Sequence, residues 1–263
     1  MSGEPTLRGT SAVISPPGPG YREDAAVSRF LADLVEPFGS KVDEERWQRG
    51  AHVSHKALTD RLLEAEDVRA SRPQLIIVTH ALPDVLPFTA VAPYLADRLD
   101  VTATTFSVAQ QGLAAPFTAL RIVAAYQRSG RCDEAVIAVL EQTTLPTPHP
   151  LVDDGGLVDS GAALVLGTGP GPRLASVASG SVEEVLEPHR EPGTLVVLGP
   201  WVTETVEAGD VHRVAPGSYC TSVWLALAGN WPAWQETYRK VVLCDTDPVS
   251  GRSYAAAFTF PAG

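Results

Sequence analysis

Three cysteines, six histidines and a scatter of acidic residues are among the side chains in this sequence able to do nucleophilic, acid–base or metal chemistry. Cys132, Cys220 and Cys244 form no C-x-x-C pair and no metal-ligand spacing. An odd thiol count in a chain this long points to reduced cysteines in a cytosol. Cys220 opens an apolar stretch that reads as a helix. A helix N-terminus lowers a thiol pKa, so Cys220 is a candidate nucleophile, set against service as a small buried filler. Cys132 falls in a loop and Cys244 in an expected strand, and both read as structural. His80 follows an apolar run, and His149 sits in the proline-rich TLPTPHPLVDD. Either stands where it can approach a pocket, although a lone histidine is more often hydrogen-bonded locally. Asp153, Asp154 and Asp159 lack the pattern of a calcium loop, so turn or cap duty is the expectation and no metal is expected. TGPGP is not G-x-G-x-x-G and opens no helix, which argues against a nucleotide cradle. Neither G-x-S-x-G nor H-E-x-x-H occurs. No cofactor is expected.

These residues need a scaffold, and the chain has the means to build one. Its 263 residues, 44% of them apolar, suit one large α/β domain or two small intimate ones. A net charge of −11 without any Lys or Arg run argues against nucleic acid as a partner. The opening MSGEPTLRGT is too polar for a secretory signal, and no run of about 18 apolar residues is available for a membrane span. A cytoplasmic protein is expected.

Strands are predicted at Thr10–Ser15, Leu75–Thr79, Thr102–Val108, Ala135–Leu140, Ser160–Gly167, Arg173–Ser179 and Thr194–Leu198, with a closing hairpin of Val241–Cys244 and Tyr254–Phe260. Helices are predicted at Ala25–Phe38, His55–Val68, Val91–Leu99, Ala114–Ser129 and Cys220–Ala228, the last ending at Gly229. In the first of these, Val27, Phe30, Leu31, Leu34, Val35 and Phe38 share one face, which is expected to be buried. Leu58, Leu62, Ala65 and Val68 do the same in the second. The alternation of strands and helices defines an α/β class. Trp224, Trp231 and Trp234 bracket GNWPAWQ, and they fit a partner contact or core packing equally well.

Three stretches together resemble the ketosynthase III branch of the thiolase superfamily. PQLIIVTHALPDVLPFTAVAPYLADRL is similar to that family's strand, loop and helix. TTFSVAQQGLAAPFTALRIVAAYQRSGRCDEAVIAVLEQ is similar to its strand, nucleophile elbow, buried helix and next strand. LVDSGAALVLGTG is similar to its Asp-Gly-Ala strand entry. The match runs in order from about Pro73 to Gly169. The resemblance implies a five-layer αβαβα sandwich of two pseudo-repeats, here 1–170 and a shortened C-terminal half, 171–263. It also implies a dimer that pairs the strand near Thr104–Val108 across its axis.

Members of that family join acyl groups through a thioester on an elbow cysteine, assisted by a histidine and an asparagine. The resemblance aligns the elbow with Gln110, Gln111, Gly112, Leu113 and Ala114, so Leu113 stands at the nucleophile position, and leucine carries no lone pair with which to attack a thioester. The histidine position, after the strand Thr194–Leu198, reads Gly199, Pro200, Trp201 and Val202, none titratable near neutrality. His189 and His212 lie outside that loop. The asparagine loop reads Pro216, Gly217, Ser218, Tyr219, Cys220, Thr221 and Ser222, with no asparagine in it and Ser218 in the degenerate region. Gln110 and Gln111 are placed either to bond across a dimer or to satisfy the elbow's own backbone.

Three agreeing losses imply a non-catalytic subunit that pairs with a homologous, catalytically intact ketosynthase in acyl or polyketide-type specialised metabolism. Acyl carrier protein or acyl-CoA would be met through that partner. This resembles the asymmetric pairs of chain-length factors and of heterodimeric 2-alkylquinolone synthase. Two alternatives stand beside it. One is an acyltransferase or thioesterase with a site relocated to Cys220. The other is a homodimeric module that binds acyl groups without chemistry.

Overall fold

The computed structural model describes residues 4–207 and 209–260. The first part of the chain comprises β1 (Thr6–Ile14), α1 (Ala25–Val35), α2 (Glu44–Arg49), α3 (His55–Leu62), α4 (Glu66–Arg69), β2 (Leu75–His80), α5 (Val91–Arg98), β3 (Thr104–Val108), α6 (Ala115–Arg128), β4 (Ala135–Glu141), α7 (Pro150–Asp153) and β5 (Ser160–Gly167). The remainder comprises β6 (Arg173–Gly180), α8 (Val182–Leu186), β7 (Thr194–Leu198), β8 (Asp210–Arg213), α9 (Ser222–Thr237), β9 (Lys240–Thr246) and β10 (Ser253–Thr259).

The strand order β3-β2-β4-β5-β1-β6-β10-β9-β7-β8 contains the pseudo-repeat. In sequence order each half reads third, second, fourth, fifth, first, and the two first strands meet at Thr6 and Arg173. The pairing repeats as well. β2 is parallel to β3 and β4, β7 is parallel to β8 and β9, and the remaining strand neighbours are antiparallel.

Alternation along the strands builds the layers. Leu75, Ile77, Ala135, Ile137 and Leu164 face an inner core shared with Leu195, Val197, Val241, Leu243 and Phe258. Between the two sets lie α6 and α9, whose Phe117 and Trp224 rings stand 5.0 Å apart. Ile76, Val78, Val136 and Ala138 face outward onto Leu58, Leu62, Val91 and Leu95 of α3 and α5. Val196, Val242 and Ala257 face outward onto Val182, Val185 and Leu186 of α8. The result is an αβαβα sandwich.

Several expected boundaries move. β1 begins at Thr6 instead of Thr10. The helix expected over 55–68 is two, α3 and α4. The one expected over 25–38 ends at Val35, followed by a 3-10 turn, Glu36–Phe38. Its apolar face is buried only at Val27 and Leu31, which pack on Trp47 and Val85; Phe30, Leu34 and Phe38 are exposed. The helix expected to stop at Gly229 starts at Ser222 and runs through Gly229 and Pro232 to Thr237. Pro232 has no N–H for the Ala228 carbonyl, which instead accepts from Thr10 Oγ1 at 3.3 Å. Trp231 Nε1 donates to the same Thr10 oxygen, while Trp224 and Trp234 are buried. Packing on β1 and β9 therefore overrides the local breakers, and the three tryptophans are taken up by the molecule's own interior.

Candidate functional site

The chain leaves β3 through Gln110 and Gly112, both at positive φ (59° and 52°), a tight turn that feeds a 3-10 segment, Gly112–Ala114, and then α6. Gln111 Oε1 accepts from Thr118 Oγ1 at 2.6 Å, so this glutamine braces its own elbow. Leu113 is 1% exposed and belongs to the inner core. The space above it is taken by Tyr219. A Cβ on Gly112 would lie 2.4 Å from the Tyr219 hydroxyl. The hydroxyl donates to Asp247 Oδ1 at 2.8 Å. Burial, and then that bond, push the phenol's pKa up, so Tyr219 stays neutral.

Trp201 closes the other side. Its ring meets Tyr219 edge-on at 5.9 Å, and its Nε1 donates to the Ser218 carbonyl at 3.0 Å. The fold thus gathers Leu113, Trp201 and Ser218 with Tyr219 around one point. Of these, only Ser218 and Tyr219 carry a titratable or nucleophilic oxygen. The Tyr219 oxygen is held by its bond to Asp247.

Two buried carboxylates, not singled out in the sequence, hold this arrangement. Glu141 ends β4 and accepts from the backbone N–H of Tyr219 at 2.9 Å and of Cys220 at 2.6 Å, which fixes the turn before α9. Asp245, near the end of β9, occupies the corresponding place in the second half. It accepts from Ser222 Oγ at 2.7 Å and from the Trp201 N–H at 3.2 Å. Gly199 is required here, because a Cβ would fall 1.9 Å from the Asp245 carboxyl. Burial pushes each acid up to about 7, against the pull of its N–H and O–H donors. The nearest sequence signal was an acid closing an apolar run, AVIAVLE and VVLCD.

Cys220 departs from its expected role. It precedes α9, is buried, and makes a long Sγ contact with the Leu140 carbonyl. Burial and the neighbouring Glu141 push its thiol pKa up instead of down. Cys132 is buried in the α6–β4 loop and Cys244 is buried in β9.

The remaining candidates are scattered through the molecule, Asp159 among them buried. His149 stands at the start of α7, where its N–H donates to Asp153, which also pairs with Arg46. Asp159 accepts from the N–H and hydroxyl of Thr143. Asp154 caps α7. Pro200 sits in the loop after β7 beside Trp201. His212 lies on β8 against Trp234, and His189 lies beside α8. His80 ends β2 and meets His55 and Asp84 in a separate hollow on the outer face of the sheet. Sequence reasoning passed over His55 and Asp84. No described helix is long and apolar enough to cross a membrane.

The strand order, the elbow between β3 and α6 and the inner helix pair define a thiolase-like fold of the ketosynthase III type. Solved structures match it over nearly the whole chain. One is 3-oxoacyl-(acyl carrier protein) synthase III from Pseudomonas aeruginosa PAO1, with a TM-score of 0.64 at 15% identity, covering 98% of this chain and 99% of that one. Xanthomonas campestris OleA with bound lauric acid and lauroyl-CoA gives a TM-score of 0.64 at 13% identity, with 99% and 100% covered. The tetronic acid condensing enzyme AbyA1 gives 0.63 at 16% identity, with 97% and 99% covered. No protein-family model matches the sequence, and no curated protein matches it.

Proposed function

We propose that this chain is a non-catalytic, ketosynthase III-like subunit that pairs with a homologous ketosynthase retaining cysteine, histidine and asparagine, in acyl or polyketide-type metabolism. The observation that carries the proposal is the plugged elbow. Leu113 is enclosed in the core, and Tyr219 fills the approach to its amide, where an acyl oxygen would have to sit. The structures that match include a 3-oxoacyl-(acyl carrier protein) synthase III, a tetronic acid condensing enzyme and OleA with lauroyl-CoA bound.

Pairing is supported by the sheet's free edge. β3 is the terminal strand of the order, bonded to β2 on one side. An edge of this kind is a template for a second chain. Near it, Phe30, Leu34, Leu86 and Phe88 are exposed, with Phe30 and Phe88 in edge contact at 5.4 Å. A site relocated to Cys220 has no such support, since that thiol is buried and its pKa raised.

The test is co-expression with a cysteine-bearing ketosynthase III homologue from the same source. The two chains are expected to co-purify, and condensation should require both. Elution of this chain alone, with the partner's rate indifferent to its presence, would refute the proposal.

A further inference from the structure

The two halves of the molecule are covered unequally on their outer faces. In the first half α3 lies over β4, β5 and β1, and α5 lies over β2 and β3. In the second half α8 lies over β9, β10 and β6, which correspond to the strands under α3. Nothing corresponds to α5. The link from β2 to β3 carries that helix, whereas the described residues of the link from β7 to β8, 199–207 and 209, form none. This shorter link gives the outer cluster only Val202 and Val206.

A cleft of about 610 Å³ lies in the uncovered place. Its floor is Thr194 and Val196 of β7, and its walls are Val182 and Leu186 of α8 and Val206 of the link. Val211 of β8 is in register with Val196, so it stands on the same outer face, where it is 40% exposed. The rim is acidic. Glu183, Glu191, Glu204, Glu207 and Asp210 line the cleft and are exposed. The basic groups nearby are already engaged. Arg190 pairs with Glu183 and Glu187, Lys240 pairs with Glu191, and Arg213 donates to the Val202 and Glu204 carbonyls. Among the described residues, Glu204, Glu207 and Asp210 make no salt bridge.

The first half shows what this face is shaped to receive. There α5 lays one apolar stripe, Val91, Ala92, Leu95 and Ala96, on the sheet. We propose that the cleft receives an amphipathic helix of about two turns from another protein, in the place that α5 holds in the first half. Its apolar stripe lies over Val196, Val206 and Val211, and Lys or Arg along its flank meets Glu204, Glu207 and Asp210. The acidic rim selects a basic helix and rejects an acidic one. A second copy of this chain fits poorly, because two-fold pairing on this face sets the acidic rim against itself. β8 is at the opposite end of the strand order from β3, so the site is independent of the pairing proposed above.

The probe is a labelled peptide of about 14 residues, with leucine at the spacing of the α5 stripe and lysine on both flanks. It is compared with a glutamate-flanked peptide of the same spacing and with a scrambled peptide of the same composition. Fluorescence anisotropy with the intact chain reads affinity, and backbone amide 15N shifts locate the site. The lysine peptide is expected to bind at least about tenfold more tightly than either control. It should shift amides of α8, β7 and β8 and leave those of α3 and α5 in place. Val211→Lys, at an exposed position, is expected to lower its affinity by a similar factor. Glu204→Lys combined with Asp210→Lys should turn the preference toward the glutamate peptide. Should either variant fail to fold, the shifts in the parent chain decide. Binding of the lysine peptide no tighter than that of the controls, shifts confined to other elements, or a dimer of the free chain that Val211→Lys abolishes would overturn the proposal.

Discussion

The elbow and the hollow sit at the C-terminal ends of neighbouring strands, on opposite faces of one sheet, and they treat polar groups in opposite ways. At the elbow the buried carboxylates Glu141 and Asp245 and the hydroxyl of Tyr219 have partners within the chain, and the remaining volume is filled by Leu113 and Trp201. At the hollow, Asp84 Oδ2 and His55 Nε2 are buried without a partner, and space remains beside them. A filled, satisfied site is built for stability. Buried acceptors without a partner carry a cost in the folded state.

The largest expected effect lies at the elbow. Glu141→Ala leaves the N–H groups of Tyr219 and Cys220 without their acceptor and should cost about 3 kcal/mol or more, read by chemical denaturation. Leu113→Ala should cost about 2–5 kcal/mol through the cavity it leaves. By contrast, His80→Leu in the hollow should change stability by less than about 1 kcal/mol, since it exchanges one hydrogen bond for apolar contact. Equal losses at the two places would erase the distinction.

Acid and alkali should separate them further. His55 is lowered to about 3 from 6.5, so its contribution to stability is full above 6.5 and is lost as pH falls from there toward 3. Glu141 is raised to about 7 from 4.5, so its contribution is full below 4.5 and is lost as pH rises through 7. His55→Gln should flatten the acid limb of the stability profile and Glu141→Gln the alkaline limb, each by on the order of 1–2 kcal/mol. Denaturation midpoints across the pH range check both. The smallest effect belongs to the surface: Phe88→Asp should stay within about 0.5 kcal/mol of the parent. It should nevertheless weaken co-elution with a ketosynthase partner, which size-exclusion chromatography of the mixture measures.

The sequence disclosed the strands that lie inside the sheet. LIIVT, AVIAVL and TLVVL are short, wholly apolar runs, and each forms a strand covered on both faces. It concealed β8, because DVHR is four mostly polar residues on an edge, and α8, because VEEVL is too short to show a period. Periodicity marked the apolar face of α1 but did not distinguish burial in a core from exposure, and Phe30 and Leu34 are exposed. Gly229 signalled an early end to α9, which tertiary packing and the Thr10 hydroxyl overrode. Leu113, Trp201 and Ser218 were singled out only through the family resemblance, and the fold brings them near one point. Tyr219 as the plug was not, since only the folded chain brings its hydroxyl to Gly112.

Intact mass spectrometry after incubation of the purified chain with a reactive acyl thioester is the most direct trial of the plugged elbow. The account predicts an unmodified mass for the parent and for Leu113→Cys alike, because Tyr219 blocks the approach and its neighbours Trp201 and Ser218 supply no base. A stable acyl adduct on the parent, lost in Cys220→Ala, would contradict it.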